Sequence, residues 1–419
     1  MKKVIAIFAI ALSLRLIGLN QSLWLDEAVT AVVVRDLSWT QIMTNFAPQD
    51  FHPTSYYLLM KLWTTFFGLS EISLRMPSIL FSLGVGWLLY RLKGLWPAAF
   101  FLFNPLVIYY SQEARMYLMV TFLLTLAFYS LERKNAWLYC LAIILAFQTF
   151  YGAIFFIVGL MFYLLVIKNW RFLMLTFGST LITVGMAMPL LWQQWHNSQE
   201  ITALVVNWKN VLGTASLKNL LLIPLKFSIG RISFEPKAAY YLIAGLWTTM
   251  VWSRLKWRDP KAILLMTPLL LALVFSFVSP LLSYFRFLYL LPVLAILLNQ
   301  GLKNNYLKIF ILIGFIGFSL VYLLFPQFHR EDWQSLARDL PEKTLVYGIV
   351  SSLEGINYYR PELLIKDLRF SALMAKQLLV VPYTAEIYGF DYQKRLIDLG
   401  YHQKRQQTYR QLVLETWVR

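Results

Sequence analysis

Apolar runs close to the ~20 residues that cross a bilayer recur along most of this chain, and short clusters of lysine and arginine separate them. A sequence patterned in this way has more apolar surface than one water-soluble core can bury, so lipid is its natural solvent. Only 14% of the 419 residues are charged, while 59% are apolar and 17% aromatic. Soluble domains carry about 25% charged residues. The net charge of +17 would suit nucleic acid, but its distribution argues against that partner. Residues 1–326 hold 25 Lys/Arg and 10 Asp/Glu, with most of the basic residues in short clusters between apolar runs. That is the pattern of cytoplasmic loops, not of a basic groove. The single cysteine, Cys140, lies inside an apolar run and excludes both a disulfide framework and a Cys-based metal site.

The predicted spans are 4–20, 76–92, 96–110, 116–131, 136–150, 153–167, 172–192, 238–253, 262–279, 284–299 and 306–325. The opening Met1-Lys2-Lys3 resembles a signal peptide, but no small-residue cleavage site precedes Asn20 and many spans follow, so the first helix is read as uncleaved. The stretch 136–167 is too long for one crossing: about 32 residues at ~1.5 Å each would reach ~48 Å, against a ~30 Å hydrocarbon core. Positive charge at both its ends, Arg133-Lys134 and Lys168 with Arg171, favours two helices that break near Gln148–Gly152. Eleven spans then place the N-terminus inside and the C-terminus outside a cell membrane. Glu132 and Asp259 become the only inner acids of residues 1–326, and the other eight fall at the outer face.

Two outer segments are long. The first, 21–75, contains the amphipathic stretch Ser55–Phe67, expected to lie along the interface; the second is 193–237. From about residue 327 the composition changes to 13 basic and 11 acidic residues. Strand-like pieces (Leu345–Val350, Leu378–Val381, Leu412–Val418) alternate there with helical ones. The expected architecture is thus a polytopic α-helical membrane domain, 1–326, followed by a small α/β extracytoplasmic domain, 327–419.

Chemistry-bearing residues gather at the predicted outer face. Asp26 and Glu27 follow the first span beside Trp24. Two acids there also suit a plain helix start, where the dipole favours them. Asp50 and His52 sit in Asp50-Phe51-His52-Pro53-Thr54, a pair more often structural than metal-binding. Gln112, Glu113, Arg115 and Tyr117 form a polar cluster between two spans. Arg15, Arg75, Arg115 and Arg286 all fall at outer span ends. Snorkelling explains such arginines, but ionisable groups kept there are also functional candidates, and a lipid phosphate is an anion that their planar fork fits.

The segments "SLWLDEAVT", "FHPTSYYLLMKLW", "SLRMPSILFSL", "NPLVIYYSQEARMYLMV" and "YFRFLYLLPVLAIL" together resemble the successive motifs of GT-C class glycosyltransferases. The nearest branch is the bacterial relatives of protein O-mannosyltransferases and of the aminoarabinose transferase acting on lipid A. The resemblance covers residues 10–130 well, 280–300 moderately and "REDWQSLARDL" loosely, as the opening of the outer domain. It implies transfer of a sugar from a polyprenyl-phosphate carrier to an acceptor hydroxyl, with inversion. It further implies Asp26 as general base, Glu27 orienting the acceptor or the base, and Arg115 and Arg286 on the carrier phosphate. Arg75, Gln112, Glu113, Tyr117, Asp50 and His52 are expected around the substrate. Many relatives read His-Pro-Pro where this chain has His52-Pro53-Thr54. The acid and histidine that hold a metal in the aminoarabinose transferases find no convincing pair here, so a divalent metal is left open.

A transporter of lipid-linked sugars would share the spans and the arginines. It would not require a carboxylate pair at the outer surface, and its usual internal repeats are not seen. The sugar and the acceptor (lipid, polysaccharide or protein) are not legible in the sequence.

Overall fold

The computed structural model describes residues 1–207 and 212–419, the side chains of 200–204 aside. Every predicted apolar segment is occupied by helix. Four helices are long and apolar enough to cross a membrane by length and composition: Glu71–Lys93, Trp170–Gln199, Tyr284–Gly301 and Asn305–Leu324. Four shorter apolar helices, Tyr117–Glu132, Ala136–Thr149, Ala153–Val166 and Ala262–Phe275, pack among them. The stretch 136–167 is two helices, ending at Thr149 and restarting at Ala153.

Two further segments differ from the predicted spans in ways that shape the fold. The segment read as 96–110 is broken into Leu95–Leu102 and Pro105–Ser111. Proline at the first helical position and the Asn104 side chain, which accepts from the N–H groups of Leu106 and Val107, start the second piece. A break inside an apolar core frees carbonyls that lipid cannot satisfy. Here Arg15 donates to the carbonyl of Leu102 at 2.9 Å and Ser319 to that of Phe103 at 3.3 Å. The helix predicted to end at 192 instead runs as Trp170–Leu204, 35 residues. At ~1.5 Å per residue it is about 52 Å long, so it overshoots a bilayer core and enters the segment read as a loop.

Residues 345–418 carry a five-stranded sheet: β1 (Leu345–Gly348), β2 (Leu364–Asp367), β3 (Gln377–Val381), β4 (His402–Tyr409) and β5 (Leu412–Val418), ordered β2-β1-β3-β5-β4. β1 runs parallel to β2 and β3, while β5 pairs antiparallel with β3 and β4. The parallel β1–β2 pair requires a crossover, supplied by the helix Glu354–Tyr359. That helix also stitches the sheet region to the first interhelical segment. Tyr358 donates to the Leu69 carbonyl at 2.6 Å, Tyr359 to Glu71 at 3.0 Å, and Arg35 to the Asn357 carbonyl at 3.2 Å.

Candidate active site

The helix Leu25–Asp36 has Trp24 as its N-cap, and its first turn carries Asp26 and Glu27. Glu27 is fully buried. One oxygen accepts from Arg75 Nε at 2.9 Å and from the Ala114 N–H at 2.7 Å. The other accepts from Arg75 Nη2 at 2.7 Å and from the Trp24 N–H at 3.3 Å. Arg75 also donates to the carbonyls of Leu19, Gln21 and Ser22, which engages all its N–H groups. The forked pair thus spends every Arg75 donor and both Glu27 oxygens within the protein, an arrangement suited to positioning. What it positions is clear from the Ala114 bond: the helix start carrying Asp26 is tied to the turn carrying Arg115.

Asp26, one residue earlier, turns outward, with its side chain 38% accessible. Its carboxylate lies 3.5 Å from the Arg115 guanidinium, which is almost fully buried and also donates to the Asp26 carbonyl. Arg115 Nε has no hydrogen-bond partner among the described residues. Burial works against its charge, but Asp26, Tyr57 and Asp50 outweigh burial and raise its pKa. Asp50 accepts from the Tyr57 hydroxyl at 2.8 Å and faces His52 Nδ1 at 3.4 Å. Burial would raise the Asp50 pKa, yet His52 and Arg115 hold it below the ordinary carboxylate value. The His52 ring stacks on Phe150 at 6.4 Å, and Phe150 meets Tyr117 edge-on at 6.1 Å. Tyr117 in turn contacts Phe285, over which Arg286 lies at 5.9 Å. Arg286 donates to the Pro280 carbonyl at 2.9 Å and forms no ion pair among the described residues.

Gln112 stands apart from this group. Its amide donates to the carbonyls of Arg15 and Ile17 at 3.0 and 2.7 Å, pinning the end of the first helix. Arg15 is likewise consumed by Ser82 and two carbonyls. The donors of both side chains are thus engaged by the framework around the first helix. Glu113 pairs with Arg330 at 3.1 Å, and burial pushes its carboxyl up against the pull of that arginine.

Arg330 and Arg231 are the functional candidates that the sequence reading missed. Arg330 lies 3.8 Å above the Trp24 ring, within the range of a strong cation–π contact. Arg231 donates to the Tyr109 hydroxyl at 2.6 Å and lies over the same ring, with no carboxylate partner among the described residues. The available signal was "REDWQSLARDL" itself, read only as a domain opening, and an isolated arginine after Gly230. Among the described residues no group of three or more His, Cys, Asp or Glu is placed to hold a metal. Asp50 and His52 offer only two ligands, already facing each other.

No protein-family model matches the sequence, and no curated protein sequence matches it. Solved structures do. The crystal structure of ArnT from Cupriavidus metallidurans in the apo state superposes with a TM-score of 0.58 at 13% identity, covering 99% of this chain and 98% of ArnT. ArnT bound to undecaprenyl phosphate gives the same TM-score and coverage at 12% identity. From first helix to last strand, the chain has the fold of ArnT, the lipid A aminoarabinose transferase of the GT-C class to which its motifs pointed.

Proposed function

We propose that this chain is a membrane glycosyltransferase that moves a sugar from a polyprenyl-phosphate carrier to an acceptor hydroxyl at the outer face of the cell membrane, with inversion. The observation that carries this reading is an accessible carboxylate, Asp26, held 3.5 Å from a buried guanidinium whose Nε is unpartnered among the described residues. The carboxylate takes the acceptor's proton while the hydroxyl oxygen bonds to the anomeric carbon. The bond from that carbon to the phosphate oxygen breaks with its electron pair, and the lipid phosphate leaves with an added negative charge. Arg115 is the nearest cation to receive it, and Arg286 and Arg231 are further cations without carboxylate partners among the described residues. The undecaprenyl phosphate bound to ArnT supports the choice of donor.

The test uses purified protein and undecaprenyl-phosphate-linked, radiolabelled sugars made by membranes of the native host. Label should pass from the lipid phase to a carrier-free product. Label that crosses a proteoliposome membrane still attached to its lipid would identify a transporter instead.

A further inference from the structure

The sheet region carries a cavity that the transfer chemistry above does not use, and the layering of the sheet fixes where it opens. The helices Trp333–Asp339 and Glu354–Tyr359, which bond to Ser22 and Glu71 of the helical part, pack on one face of the sheet against Leu379 and Val381. The helix Tyr392–Asp398 packs on the other face through Leu396, against Leu378 and Val380. Successive residues of β3 thus serve opposite layers, and the second layer is turned away from the spanning helices. Lipid does not account for apolar side chains exposed there.

A cavity of about 400 Å³ opens on this second layer, lined by Phe390, Asp391, Lys394, Arg395, Asp398 and Leu399. That volume is within the range of small-molecule sites. Asp391 with Arg395, and Lys394 with Asp398, are opposite charges at the spacing that normally pairs them on a helix. Among the described residues neither pair closes: Asp391 accepts from the Lys394 N–H at 3.0 Å, and Arg395 turns to the Ser371 carbonyl at 3.4 Å. The cavity therefore offers donors and acceptors of both signs without a net charge.

Phe370 stands beside it, 78% exposed, on the loop that the Arg395–Ser371 bond ties to the cavity. The base of that loop is fixed. Asp367 accepts from Arg369 through both oxygens, at 2.9 and 2.8 Å. The guanidinium held in this way lies 4.9 Å from the Phe370 ring centre and 4.7 Å from that of Tyr388. The Phe370 ring is backed by a pinned cation and yet open to water. Charge is depleted from the core of a protein interface, whereas four of the six lining residues here are charged. A phosphorylated or acidic ligand calls for an excess of cations, and these four charges balance. An open ring beside balanced donors and acceptors suits a ligand with an apolar face and many hydroxyls.

We propose that this layer is a binding site for a neutral saccharide, separate from the site at Asp26 and independent of the transfer reading. The ring of Phe370 takes the C–H face of a pyranose, and the charged side chains of the helix Tyr392–Asp398 with Asp391 take its hydroxyls.

The test uses the full-length protein in nanodiscs, free of glycoside detergent and of carrier lipid, titrated with fluorescent neutral di- to tetrasaccharides of hexoses and read by anisotropy. Saturable binding of at least one is expected. Phe370→Ala should weaken it about three- to ten-fold and Asp398→Asn about ten- to a hundred-fold, both with the wild-type Tm. Leu364→Ala, an exposed apolar position on the edge strand β2, and Asp26→Asn should both bind like the wild type. No saturable binding up to about 10 mM, a preference for acidic saccharides or apolar peptides, or unchanged affinity in both Phe370→Ala and Asp398→Asn overturns the site. So does binding that Asp26→Asn removes and Phe370→Ala keeps, which assigns the saccharide to the candidate active site instead.

Discussion

Asp26 and Glu27 are adjacent acids with opposite fates, and the difference sets what their substitution should do. Asp26→Asn keeps size and most hydrogen bonds but removes the basic lone pair. Turnover should fall by about 10²–10⁴-fold with donor binding little changed. Arg115→Ala should instead weaken donor binding by about ten- to a hundred-fold, and Arg115→Lys should restore only part, because the fork is lost. Titration with labelled carrier separates the two, and equal donor affinity in wild type and Arg115→Ala would remove Arg115 from the phosphate. Glu27→Gln acts elsewhere. It leaves the Arg75 charge buried without its counter-charge, a defect of about 3–5 kcal/mol when a buried pair is broken. Its signature should be a lowered Tm in detergent, and what activity survives should keep the wild-type acceptor and donor KM. An unchanged Tm in Glu27→Gln contradicts the positioning role. The outward acid could be named from sequence because it fell within an ordered set of motifs. The pairing of Glu27 with Arg75 could not, since 48 positions separate them and only the packed fold shows that all donors are taken.

Helices and strands were legible in proportion to how much apolar pattern each carries. β1, β3 and β5 fall where strand-like runs were read, and they are the three inner strands of the sheet. The missed strands, β2 and β4, are its edges. β4 reads His402-Gln-Lys-Arg-Gln-Gln-Thr-Tyr409, mostly exposed, and charged edges of this kind block unwanted pairing while erasing the alternation by which strands are recognised. The overrun of Trp170–Leu204 was hidden for a related reason: its last turns are polar and look like a loop. Those turns have a task. Gln194 donates to the carbonyls of Ala47 and His52 at 2.8 and 3.0 Å, and Asn197 to that of Pro48 at 2.8 Å. They clamp the short segment bearing Asp50 and His52. Gln194→Ala should cost about 1–3 kcal/mol for the two lost bonds and speed amide hydrogen exchange around Phe51 and His52. Exchange that stays at the wild-type rate would falsify the clamp.

For the whole molecule, the charge asymmetry of the sequence predicts that 21–75 and the sheet region lie outside, and that 254–261 lies inside. After replacement of Cys140, a cysteine at Ser253 should resist an impermeant reagent in intact cells, whereas one at exposed Lys404 should react. Labelling at Ser253 would reverse the orientation. The two halves of the chain are not independent in this picture. Arg330 answers Glu113, a carboxylate otherwise sealed among aromatic rings, and covers one face of Trp24. Ser22 Oγ accepts from the Gln334 N–H, and the Leu23 N–H donates to the Tyr359 hydroxyl. A chain joined in this way cannot trade its C-terminal portion as a cassette. A foreign replacement would have to bring its own arginine to Glu113, or leave a bare negative charge within the field of Glu27. Inheritance of the two halves is thereby linked: a change at Glu113 is tolerated only alongside a change at Arg330, and covariation between these two distant positions is the trace it should leave among descendants of this sequence.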